Sequence, residues 1–161
     1  MHSHFTHELG YLALAVRLKK IQEMMMHSAR SLYKELDFDI EPNWYLIFLL
    51  LKKETELSVT QIAEHLNISH PSVVNIIKKM RERGFLEICC DTKDYRRQLV
   101  SLSIKGSTSL PEFEKIWSTS EEVIKEAFAD SSTFLDELAT IEHYFNTQSY
   151  KERTLKKLTN E

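Results

Sequence analysis

Hydrophobic residues recur along most of this chain at helical spacing. From Thr6 to Leu36 they fall at Tyr11, Leu14, Leu18, Ile21, Met25, Leu32 and Leu36, separated by threes and fours apart from one seven-residue step. That rhythm draws a single stripe along a helix. Thirty helical residues span roughly 45 Å, more than a domain of this size covers with its own surface. The stripe is therefore expected to meet a second copy of the chain.

Asp37 to Asn43 reads as a connector, with Pro42 suited to the first turn of the next helix. The block Trp44-Tyr45-Leu46-Ile47-Phe48-Leu49-Leu50-Leu51 is apolar all round, so it predicts a central helix packed on every side. Ser58-Val59-Thr60-Gln61 fits a capping box and starts a short helix with Ile62, Ala63 and Leu66 inside. Asn67-Ile68 makes a turn. Ser69 then caps a second helix that carries His70 and Pro71 in its first turn. Its inner side is Val73, Ile76, Ile77 and Met80, and Gly84 stands where a left-handed residue ends a helix.

After Gly84 the period drops to two. Phe85–Cys90 and Gln98–Leu102 read as the strands of a hairpin, joined by the polar tip Asp91-Thr92-Lys93-Asp94-Tyr95-Arg96-Arg97. Helical spacing resumes from Ser103 through Phe113, Ile116, Trp117, Ile124, Ala127 and Phe128, with a kink or break expected near Pro111. Asp130-Ser131-Ser132 offers a further cap ahead of Phe134, Leu135, Leu138, Ile141 and Phe145, and Ser149–Leu158 reads as a last short helix. The expected fold is mainly α with a small β-hairpin wing.

Composition narrows the function. The chain has 161 residues with only three glycines and three prolines, too few for the turns of an all-β fold. The longest apolar run, Trp44–Leu51, is far short of a membrane span, and Met1–Glu8 lacks a basic start followed by an apolar stretch. A cytoplasmic protein without membrane contact is expected. Cys89 and Cys90 are adjacent, so there is no spaced disulfide framework, and on a strand one thiol is expected buried and one exposed. His2, His4 and His7 lack companions spaced to complete a metal site. No glycine-rich phosphate loop, Gly-x-Ser-x-Gly elbow or His-Glu-x-x-His occurs. Neither catalysis, nor a metal, nor a cofactor is expected.

Two short capped helices followed at once by a hairpin describe a winged helix-turn-helix, whose second helix is of a width to enter a DNA major groove. Removing the inner residues of that helix leaves His70, Pro71, Ser72, Val74, Asn75, Lys78 and Lys79 outside, and the cap Ser69 joins them as a DNA-binding candidate. His70 and Asn75 suit base edges, while Ser72, Lys78 and Lys79 suit phosphates. Lys93, Arg96 and Arg97 place cations on the hairpin tip, fit for a minor groove or the DNA backbone. Charge follows the same division. Residues 58–106 hold eight Lys or Arg against five Asp or Glu, and the remainder thirteen against nineteen, within a total charge of −3.

The stretch from Leu57 to Gly106 resembles the winged-helix core of the MarR family of transcription regulators. The wing carries the match: Asp94 and Arg96 fill the family's Asp-x-Arg pair, Leu102 and Gly106 fit its Leu-Thr-x-x-Gly, and Ser103 replaces the usual threonine. The resemblance implies a single domain, 1–161, with the winged helix at 41–106 and dimerisation helices at 1–40 and 107–161. It implies a homodimer that sets two recognition helices on a near-palindromic double-stranded operator, usually as a repressor. Arg96 would touch DNA at the wing tip, while Asp94 would hold the arginine or brace the loop. It also implies a small phenolic or lipophilic effector bound between the dimer helices and the reading head. Trp44, Tyr45 and Phe48 are candidates to line that cleft, beside the packing role assigned above. The competing class is a winged helix that binds another protein and no specific DNA; it has no need of Asp94-x-Arg96.

Overall fold

The computed structural model describes residues 5–90, 98–128 and 133–159. The chain divides into two compact units, residues 1–113 and 114–161.

In the first unit the long opening helix is interrupted. A four-residue helix, α1 (Phe5–Glu8), is followed by a 3-10 turn (Gly10–Ala13), and α2 runs Leu14–Glu35. Gly10 marks the break: its φ of +55° lies in the left-handed region, outside the helical one, which glycine adopts at no steric cost. Helix α3 (Tyr45–Glu54) follows the connector, then a short strand β1 (Glu56–Ser58) and helix α4 (Val59–Leu66). The capping box forms as the sequence predicts. The Gln61 N–H donates to Ser58 Oγ at 3.3 Å, and the Ser58 N–H donates to Gln61 Oε1 at 3.0 Å.

Helix α5 (His70–Glu82) leads through Gly84 into strand β2 (Leu86–Cys90), which pairs antiparallel with β3 (Gln98–Leu102). The sheet has three strands, not two. Leu57 pairs with Val100 across β1 and β3, giving the order β1-β3-β2. Both of these side chains are buried, so the third strand closes one edge of the wing over the core.

Of the kink or break expected at Pro111, a break does not occur: helix α6 (Ile104–Ala127) continues through it. Its Gly106, Leu110 and Phe113 are buried. A ladder of edge-to-face rings fills the centre of this unit. Phe38 meets Phe113 at 5.3 Å, Phe113 meets Phe48 at 5.4 Å, and Phe48 meets Phe85 at 5.6 Å between centroids. Such pairs prefer this geometry because the positive edge of one ring faces the negative face of the next. Ile47, Phe48 and Leu51 are the buried residues of α3, whereas Tyr45 and Leu49 are exposed on its other side. The all-apolar block is thus packed on one face, not all round.

The second unit adds α7 (Phe134–Thr147) and α8 (Tyr150–Thr159). Thr133 is the N-cap of α7; the cap expected at Asp130-Ser131-Ser132 lies outside the described residues. Arg153 fastens the two helices. It donates to the carbonyl oxygens of Gln148 and Tyr144 at 2.9 and 2.8 Å, and its guanidinium lies 3.6 Å from the Tyr144 ring centroid. Neither α7 nor α8 has a buried residue.

Candidate nucleic-acid interface

Helices α4 and α5 are joined through Asn67, which takes a left-handed conformation (φ +50°) that asparagine tolerates well. The rotation of α5 about its axis is then set by its buried residues Val73, Ile77 and Met80. Ile76 is only half-buried. This rotation leaves Ser69, His70, Pro71, Ser72, Val74, Asn75, Lys78 and Lys79 all exposed. Ser69 occupies the N-cap position, but its side chain makes no cap hydrogen bond; its Oγ pairs with Ser72 Oγ at 2.8 Å. Lys78 makes an exposed contact of 3.9 Å with Glu82, one turn on. Pairs of that kind contribute little in water, so they do not hold the lysine back from a phosphate.

The far end of α5 is held differently. Arg83, its C-cap, points its guanidinium away from the outward face and into the connector before α3. It reaches Asp39 Oδ1 at 3.1 Å and Glu41 Oε1 at 3.5 Å, donates to the Asp39 carbonyl, and lies 4.8 Å from the Trp44 ring centroid. Glu41 is shared with Arg30 of α2 at 3.6 Å. These charges, with Lys34 and Asp37, border an open pocket of about 440 Å³. Sequence reasoning missed this arrangement because its partners stand more than forty positions apart.

Ser103 makes the second junction. Its N–H donates to the Phe85 carbonyl at 3.0 Å and its Oγ to the Gly84 carbonyl at 2.6 Å, while it accepts from the Gly106 N–H at 3.0 Å. One hydroxyl thereby joins the end of α5, the return strand of the wing and the start of α6. A Cβ at position 106 would meet the backbone of Phe85, so glycine is required there by space. Lys105 adds a bond of 2.7 Å to the Arg83 carbonyl and sits 4.2 Å from the Phe85 ring centroid.

In the wing, Cys90 pairs with Gln98, so segment 91–97 joins two paired strand ends. Lys93, Asp94, Arg96 and Arg97 fall in that segment, outside the described residues. Cys89 and Cys90 are both exposed, against the expectation of one buried thiol. They end an edge strand whose burial is confined to its first residues, Leu86 and Ile88.

Of the three residues named for an effector cleft, Trp44 and Phe48 are 1% and 0% exposed and belong to the core, while Tyr45 faces outward. Among the described residues no group of His, Cys, Asp and Glu could hold a metal ion, and no helix is long and apolar enough to cross a membrane.

Residues 38–97 match the model of the MarR family. No curated protein matches the chain. Among solved structures, the chain resembles the transcriptional repressor CouR bound to a 23-mer DNA duplex, at TM-score 0.70 and 24% identity over 83% of this chain and 96% of that one. It resembles S. aureus MepR in a DNA complex at TM-score 0.70 and 18% identity, covering 84% and 98% of the two chains. The transcriptional regulator SlyA gives 0.66 and 17%, covering 83% and 92%. At these identities the likeness establishes the winged-helix fold.

Proposed function

Taking as premise a MarR-family winged helix over residues 38–97, we propose that this chain is a sequence-specific DNA-binding transcription regulator acting as a homodimer. One observation carries the reading: the core fixes α5 by Val73, Ile77 and Met80, and the face left outside bears His70, Ser72, Asn75, Lys78 and Lys79. That face offers donors to base edges near its start and cations to phosphates further on. On this reading Ser69 and Pro71 complete the edge that enters the major groove. Lys93, Arg96 and Arg97 meet the flanking minor groove or backbone, with Asp94 bracing Arg96. CouR and MepR, both seen with DNA, support the choice of partner.

The homodimer rests on uncovered apolar surface. On α2, Val16, Leu18, Ile21, Met24, Met25 and Leu32 are exposed. In the second unit, Val123, Phe128, Leu135, Tyr144 and Phe145 are exposed where no helix has a core of its own. A second copy supplies such surface most economically. Repression of a near-palindromic operator in the cytoplasm completes the reading, with release by a small phenolic or lipophilic compound. Tyr45 and Leu49, exposed on α3, are the apolar surface such a compound would find.

The test is selection of duplexes from a random pool, followed by binding titrations over a range of salt. A two-fold symmetric motif is expected, with affinity falling steeply as salt rises. Asn75→Ala and His70→Ala should each cost about 1–3 kcal/mol and relax sequence preference. Arg96→Ala should weaken binding and flatten the salt slope. Unchanged affinity in all three variants refutes the assignment. Binding that ignores salt, to a protein partner alone, would favour the interaction module instead. Sedimentation at micromolar concentration should find a dimer.

A further inference from the structure

Beyond Pro71, which suits the first turn, the outward face of α5 contains one side chain that breaks its polar pattern. Val74 is 44% exposed, although it follows the fully buried Val73 and stands between His70 and Lys78, one turn to either side. Packing does not account for it, because turning the helix to bury Val74 would lift Val73, Ile77 and Met80 out of the core. Helix propensity does not account for it either. Valine is β-branched and a poorer helix former than alanine or any of the long straight side chains.

A valine here can neither donate nor accept a hydrogen bond; it can only take apolar surface out of water. The floor of the DNA major groove is lined with donors and acceptors, and its distinctive apolar group is the C5-methyl of thymine. The surroundings suit that partner. Asn75, the next residue, has the amide that pairs with adenine, and Lys78 lies about 5–6 Å along the same flank, in position for an adjoining phosphate. The nearest acidic group on the helix is Glu82, two turns further on.

We propose that Val74 is a specificity-determining residue that reads a thymine C5-methyl, once in each half-site, beside the base pair met by Asn75. The inference rests on the DNA-binding reading above and adds the base it selects. A hydrogen-bonding residue at this position would prefer a base edge; valine prefers a methyl and rejects the same pair without one.

Deoxyuridine removes that methyl and leaves every other atom of the base in place. The experiment uses the full chain and a duplex selected from a random pool, with thymines replaced by deoxyuridine one symmetric pair at a time. Wild-type protein should lose affinity at one such pair, by about fourfold per half-site, the gain expected from one buried methyl. Val74→Ala should lose a similar amount on the unmodified duplex and become indifferent to deoxyuridine at that pair alone. Val74 is exposed and alanine favours helix, so the variant should keep its thermal midpoint or raise it. If Val74→Ala retains the full wild-type sensitivity at every thymine, or the wild type has none, the inference is overturned while DNA binding stands. If no duplex is enriched or bound, the DNA-binding reading itself fails.

Discussion

Gly106 gives the sharpest test of how α5 and the wing are joined. In an unobstructed helix, alanine in place of glycine stabilises by about 1 kcal/mol. Here the added Cβ would press into the Phe85 carbonyl oxygen at a separation that real Cβ atoms essentially never show, and lie 3.3 Å from the carbonyl carbon. The obstacle is backbone and cannot swing aside. Phe85 is itself wedged against Trp44, Phe48 and Phe113 at 6.1, 5.6 and 5.9 Å between ring centroids. Overfilling such a site costs about 1–3 kcal/mol. Moving Phe85 also strains the bonds from Ser103 to the Phe85 and Gly84 carbonyls, each a net contribution of about 1 kcal/mol. After the helix gain is offset, Gly106→Ala should destabilise by about 2–3 kcal/mol. For a chain of this length that lowers the thermal midpoint by about 5–10 °C. The assay is thermal unfolding followed by circular dichroism at one fixed protein concentration. Gly84→Ala is the comparison: its φ of +78° imposes a conformational cost, but its Cβ meets nothing closer than Lys105 Cδ at 3.7 Å. Its loss should be smaller, about 1–2 kcal/mol. A Gly106→Ala protein as stable as wild type, or more so, would refute the role given to this junction.

Two further outcomes follow from the charged contacts. Arg83→Gln removes both carboxylate contacts and the position over Trp44, so stability to urea should fall by about 1 kcal/mol, and by less in high salt, where the charges are screened. An equal loss in low and high salt would show that packing alone holds Arg83. At the start of α8, Ser149 donates to Glu152 Oε2 from its hydroxyl at 2.8 Å and from its N–H at 3.0 Å, which holds the Glu152 carboxyl below its usual range. A lowered folded-state pKa gives a contribution present above the unfolded value and lost as pH falls through the folded one. Backbone chemical shifts of Tyr150 to Glu152 should therefore report fraying of this first turn in acid, below about pH 4.3. Ser149→Ala should fray at all pH values; no change in either case would remove the cap.

Where local chemistry decides, the sequence was readable. The reciprocal bonds of Ser58 and Gln61, the positive φ of Gly84 and the inner residues Val73, Ile77 and Met80 all follow from short-range spacing. What escaped was fixed by distant partners or by single residues acting against a pattern. Strand β1 has three residues and exists because Leu57 finds Val100 on the free edge of β3. The stripe from Thr6 to Leu36 concealed the break at Gly10, since side-chain periodicity says nothing of a backbone φ. Pro111 was expected to kink or break α6; it does not end the helix, because Leu110 and Phe113 on either side are anchored in the core and carry it past. The exposed side of the candidate interface was legible as the complement of its buried one. The clamp on Arg83 was not, because no spacing rule links it to Asp39 and Glu41.

The three bonds of Ser103 have a mechanical consequence. A helix end and a strand end that share one hydroxyl shift as a block, so the angle between α5 and the paired strands of the wing is set when the chain folds. On the proposed function, adjustment to half-sites of different spacing, or loss of grip on them, must then come from the separation and tilt of one copy relative to the other.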